Sequence, residues 1–209
     1  MGRITAALLS TLLLAGCAAP SKEAPAQDFA PASAPAAQVE NMSSSMVESA
    51  PRPLPEPEIL AAYEQAQRVY GWFDLAPLPS SGETAVLDGA VYSRVDMEGI
   101  LDLEDLRAYL RGVFSQELTD RLLDGRTARI QYRSSGGLLY VSGAARERDP
   151  EKGQAWVETE RVGEGLYSVN VTVDLLAEDG ETVVGLESWS FPYAFEEDRW
   201  VFTDFRLVA

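Results

Sequence analysis

Cys17 is the only cysteine in the 209-residue chain, and the chain has no histidine. Those two counts bound the chemistry. Without histidine no Ser-His-Asp or Cys-His pair can activate a nucleophile. No imidazole or thiolate cluster can hold zinc, iron or copper, and a lone cysteine forms no internal disulfide. What remains open is acylation of Cys17 itself. It follows Leu14-Ala15-Gly16, an aliphatic residue and two small ones, at the end of an apolar run from Ile4 to Gly16 behind the positive start Met1-Gly2-Arg3. That run of 13 residues suits the apolar core of an export signal and is too short to span a bilayer. The pattern is that of a bacterial lipoprotein: residues 1–16 are the signal peptide, and Cys17 receives diacylglycerol and becomes the new N-terminus. The expectation is a chain lipid-anchored at the extracytoplasmic face of the cell membrane, since two or three acyl chains hold stably where one is marginal.

Carboxylates are the other plentiful reactive group, with 33 Asp+Glu against 17 Lys+Arg and a net charge of −16. A carboxylate pair could run glycoside hydrolysis, and Glu158 and Glu160 share one strand face. Among so many acids, however, close pairs arise by chance. Asp179-Gly180 lacks the spaced acidic ligands of a calcium loop. The glycosylation pattern Asn170-Val171-Thr172 falls inside a strand. No catalytic residue, cofactor or metal is expected. From Leu54 onward there are 29 Asp+Glu and 14 Lys+Arg, a net −15, so the acidity belongs to the folded part. It disfavours nucleic acid as a partner and favours electrostatic steering of a basic protein.

Two kinds of binding feature follow. The first is a polar connection from about Ser142 to Gly153, long for a plain loop, whose Arg146, Glu147, Arg148, Asp149 and Glu151 are candidate partner-binding residues. Its own charge is balanced, so an acidic contact surface would have to lie elsewhere. Asp102-Leu103-Glu104-Asp105 and Glu196-Glu197-Asp198 are candidates, although Asp102 reads as a helix cap and the second cluster as a turn. The alternative is a small-ligand binding or sensing module of the cell envelope, with Tyr63, Tyr70, Trp156, Trp189 and Tyr193 lining a pocket or filling a core.

These residues need elements to position them. Residues 18–57 contain 10 Ala, 8 Pro and 6 Ser, a composition that buries too little to fold alone. Residues 17–57 therefore read as a lipidated cysteine plus tether, and 58–209 as a single domain. Ile59, Tyr63, Ala66, Tyr70 and Phe73 mark a helix from Glu58 to Phe73. Asp74 to Glu83, rich in Pro, Ser and Gly, reads as loop, and Val91 to Val95 as a short strand. Asp102 and Ser115 cap two further helices, the second stopping at Gly125. The period then changes to two. Strands are expected from about Thr127, after the Gly136-Gly137 hairpin, over 154–162, through Tyr167–Leu175, over Thr182–Phe195 and over Trp200–Val208. Both faces of the last are apolar, so it is expected to be central. Helices first and strands after them give an α+β domain. The expected form is N-terminal helices packed on a curved, mostly antiparallel meander sheet of five to six strands, a cystatin-like cone.

Several phrases carry a family resemblance. They are Trp72-Phe73 with Pro77-Leu78, Val91-Tyr92-Ser93-Arg94-Val95, Asp105-Leu106-Arg107-Ala108-Tyr109-Leu110, and Val113-Phe114-Ser115-Gln116-Glu117-Leu118. Gly137-Leu138-Leu139-Tyr140-Val141 and the closing Arg199-Trp200-Val201-Phe202-Thr203-Asp204-Phe205 complete the set. Over roughly residues 59–207 the chain resembles the IseA-type DL-endopeptidase inhibitor family of Gram-positive bacteria. The resemblance implies a non-enzymatic protein that binds and inhibits cell-wall D,L-endopeptidases, the cysteine hydrolases of peptidoglycan stem peptides. It brings no contact motif that maps onto particular residues here.

Overall fold

The computed structural model describes residues 51–125 and 128–208. The expected signal peptide, Cys17 and the expected tether as far as residue 50 lie outside the described residues. Helix α1 (Glu56–Gly71) starts behind the N-cap Pro55 and buries Ile59, Tyr63, Ala66 and Val69 at three- and four-residue steps. The chain is already packed before residue 58. The Leu54 amide donates to the Tyr167 hydroxyl at 2.9 Å, and that hydroxyl faces the Leu54 carbonyl at 3.3 Å.

Strands β1 (Ser80–Leu87) and β2 (Ala90–Val95) form an antiparallel hairpin. Its turn is Asp88-Gly89, both at positive φ (51° and 80°), the two-residue geometry that favours Asp-Gly. The expected loop through Glu83 is thus strand from Ser80 onward. β1 is an edge strand with hardly any buried side chain, and its register shifts between Ser80 and Thr84. No apolar alternation was there to read.

α2 (Leu103–Arg111) and α3 (Gln116–Leu123) begin at the expected caps. The Asp102 carboxylate accepts from the Glu104 and Asp105 amides at 2.9 and 3.0 Å. The Asp105 carboxylate accepts from the Asp102 amide in return, a closed capping box. β3 (Ile130–Ser135) and β4 (Leu138–Gly143) are joined by Gly136-Gly137 at φ 60° and 76°. Three long strands follow: β5 (Lys152–Gly163), β6 (Leu166–Leu176) and β7 (Val183–Glu196), then the short β8 (Arg199–Phe202).

The class is α+β, and every strand pairing is antiparallel. The strands divide into two four-stranded sheets, ordered β1-β2-β4-β3 and β5-β6-β7-β8, in place of one sheet of five to six. The division falls at residues 144–151, which leave the first sheet without pairing and enter the second. Gly143 lets the chain depart there. At φ 131° a Cβ on it would stand 2.3 Å from the Arg129 carbonyl oxygen, so only glycine fits.

β8 departs from its expected course. It ends at Phe202 and is an edge strand, not a central one. Its open side is met by the chain between α2 and α3: the Ser115 amide donates to the Phe202 carbonyl at 2.9 Å, and the Phe202 amide to the Val113 carbonyl at 3.0 Å. Leaving the strand, the chain turns Phe205 inward. Its ring lies 4.8 Å from Phe191, 5.2 Å from Phe202, 5.7 Å from both Tyr63 and Tyr70, and 5.8 Å from Phe114. One apolar core thereby joins α1, the α2–α3 connection and the second sheet. Among the described residues, no helix is long and apolar enough to cross a membrane.

Candidate binding surfaces

The β4–β5 connection is fastened at both ends. On entry, the Arg146 amide donates to the Asp74 carbonyl at 3.0 Å, and its guanidinium Nε meets Asp74 Oδ2 at 2.6 Å. Both side chains are largely covered, Arg146 at 25% exposure and Asp74 at 20%. On exit, Asp149 Oδ1 accepts from the Glu151 amide at 3.0 Å, and the Glu151 carbonyl accepts from the Leu176 amide at 2.8 Å. Lys152 then pairs with Glu187 on β7. The Lys152 hydrogen bond holds the Glu187 carboxyl below its ordinary range.

Of the candidate residues, Arg146 is therefore an anchor and Asp149 closes a turn. Glu147, Arg148 and Glu151 remain exposed. Arg148 and Asp149 border a cavity of about 190 Å³ whose other walls include Tyr63, Gln67 and Val171. A charged loop held between two fixed points is preorganised, and so loses little freedom on binding.

The acidic clusters divide by role. The carboxylates of Asp102 and Asp105 are spent on the capping box. Glu197 and Asp198 form the β7–β8 turn at φ 48° and 63°, and Glu197 pairs with both Arg111 and Arg199. Glu158 and Glu160 are exposed on the edge strand β5, opposite Asn170 and Ser168.

The five aromatics considered for a pocket do not converge. Tyr63 and Tyr193 are core residues at 3% and 8% exposure, and burial raises both phenols to about 12. Trp156 is exposed on β5. Only Tyr70 and Trp189 face one cavity, of about 330 Å³, together with Arg121, Asp204, Phe205 and Arg206. A second cavity of about 270 Å³ shares Tyr70, Leu122 and Arg206 as walls and adds Asp74, Arg129 and Arg146. Sequence reasoning missed this arginine-rich groove. Its four arginines stand at 121, 129, 146 and 206, on α3, in two connecting segments and in the segment after β8, and no spacing links them.

No family model matches the chain, and no curated protein matches it. Among the described residues, no group of His, Cys, Asp and Glu is arranged to hold a metal ion.

Proposed function

We propose that this protein is an extracytoplasmic lipoprotein, anchored through Cys17, that binds and inhibits cell-wall D,L-endopeptidases by protein–protein contact. The observation that carries the reading is the fastened β4–β5 connection, which holds Glu147, Arg148 and Glu151 outward on a fixed scaffold. The sequence resemblance to IseA-type inhibitors supplies the partner. The lack of histidine, and of any cysteine besides Cys17, fits a binding role better than a catalytic one. The domain's net −15 suits attraction to a basic hydrolase that weakens with salt. The finer fold reading, a curved sheet wrapped on the first helix in the manner of a cystatin-like cone, belongs to the same proposal. It draws support from α1 lying over the second sheet, with Tyr63 stacked on Phe191 at 6.2 Å.

The test is hydrolysis of purified cell walls by cysteine D,L-endopeptidases at low salt, with and without the purified chain. Inhibition that falls on adding salt, and falls again in a Glu147→Lys, Arg148→Glu double variant, is the expected result. Unchanged hydrolysis sinks the reading. The anchor is tested separately: labelled fatty acid should enter the wild-type chain, and Cys17→Ala should leave the membrane.

A further inference from the structure

The groove around Tyr70 concentrates positive charge on an acidic domain. Four of the 14 Lys+Arg found from Leu54 onward line its two adjoining cavities, against the carboxylates of Asp74 and Asp204. Those carboxylates satisfy the arginines unevenly. Arg146 is tightly held by Asp74 at 2.6 Å. Arg129 reaches the same carboxylate only at 3.7 Å and is 62% exposed. Arg121 meets Asp204 at 3.4 Å with both side chains more than half exposed. Among the described residues Arg206 makes no close ion pair, although its charge reaches the Glu187 carboxylate, and its guanidinium lies 4.2 Å over the Trp189 ring. The floor is apolar, with Leu122 common to both cavities, Leu118 and Phe191 in one and Phe73 in the other.

Arginine guanidinium groups fit carboxylates through paired N–H donors, and in a concave site their field is focused. Positive groups line both of the cavities that share Tyr70 and Leu122 as walls: Arg121 in one, Arg129 in the other, and Arg206 in both. We propose that this groove binds a small organic dicarboxylate, one carboxylate in each cavity and its carbon chain over Leu122. This site is independent of the endopeptidase reading and uses none of the exposed loop residues.

The probe is glutarate, titrated into the full chain by calorimetry and followed through tryptophan fluorescence, since Trp189 lies beneath Arg206. Glutarate should bind saturably with a dissociation constant below about 1 mM, and acetate at least about tenfold more weakly. Glutaramide, of the same shape but uncharged, should not bind. Arg206→Gln and Arg129→Gln should each weaken glutarate by about tenfold or more, while Arg199→Gln, on the β7–β8 hairpin, should leave it unchanged. Arg129 is exposed enough that its variant keeps the test intact if Arg206→Gln fails to fold. Absence of saturable glutarate binding, equal binding of acetate, or full binding by the Arg129→Gln variant would each overturn the proposal.

Discussion

Arg146 and Asp74 are joined twice, by a backbone hydrogen bond of 3.0 Å and a side-chain ion pair of 2.6 Å, across 72 residues of sequence. The pair ties the β4–β5 connection to the segment following α1. Because both groups are largely covered, removing one leaves the other poorly solvated. Asp74→Ala should cost about 1–3 kcal/mol in urea unfolding. Hydrogen exchange should quicken at Arg146 and its neighbours more than in the sheets. If the loop is the inhibitory surface, inhibition should weaken as well, through lost preorganisation. Asp74→Asn, which keeps an acceptor, should do less on every count.

The Tyr132 hydroxyl makes a second long-range tie. It accepts from the Leu78 amide at 3.0 Å and donates to the Trp72 carbonyl at 2.9 Å, fixing both ends of the turn between α1 and β1 onto β3. The residue is 2% exposed, so water cannot replace it. Tyr132→Phe keeps the ring, including its edge contact with Phe73 at 5.1 Å, and strands two backbone groups. The expected loss is about 1–3 kcal/mol by chemical denaturation. A loss near zero would mean that the turn relaxes to re-pair those groups.

These two ties show what the sequence could and could not disclose. Asp102 and Ser115 were legible as caps because a helix start is a local pattern of three or four residues. β6 was legible because Tyr167, Val169, Val171 and Val173 alternate without interruption. β1 was not, since an exposed edge strand has no apolar face to announce it. The split into two sheets was hidden too, because which strands pair with which is set by tertiary placement and not by composition. At the site, the exposed charges Glu147, Arg148 and Glu151 could be picked out from the loop itself. That Arg146 anchors to Asp74, and that Arg121, Arg129 and Arg206 meet around Tyr70, are facts of tertiary placement alone.

The turn between β6 and β7 should respond to acid through Asp179. Its carboxylate accepts from the Glu181 and Thr182 amides at 2.9 and 2.8 Å and from the Thr182 hydroxyl at 2.6 Å. These bonds, the Thr182 hydroxyl foremost, lower its pKa from 3.8 to about 2. A lowered carboxyl pKa favours the folded turn above the unfolded value, and that contribution is lost as pH falls through the folded one. Carboxyl carbon shifts should place the Asp179 midpoint near 2. Exchange protection at the Thr182 amide should decline over roughly pH 4 to 2. Asp179→Asn keeps an acceptor but cannot titrate there, so it should abolish the pH dependence without removing all of the protection.

At the alkaline end the buried phenols govern. Burial raises Tyr63 and Tyr193 from 10.0 to about 12 and lifts Tyr132 in the same direction. The folded state therefore keeps protons that the unfolded chain releases above pH 10.0. The stability they contribute is full below that value and is lost as pH rises toward about 12. A jump from about pH 9 to about pH 11.5 should give tyrosinate absorbance in two phases, one fast from accessible phenols and one slow. The slow phase should share its rate with the loss of far-ultraviolet circular dichroism, because these hydroxyls reach hydroxide only as the core opens. Tyr193→Phe should reduce the slow amplitude and move alkaline unfolding to higher pH. A single fast phase in the wild type, with the circular dichroism intact, would show instead that Tyr63 and Tyr193 are reached by solvent without unfolding.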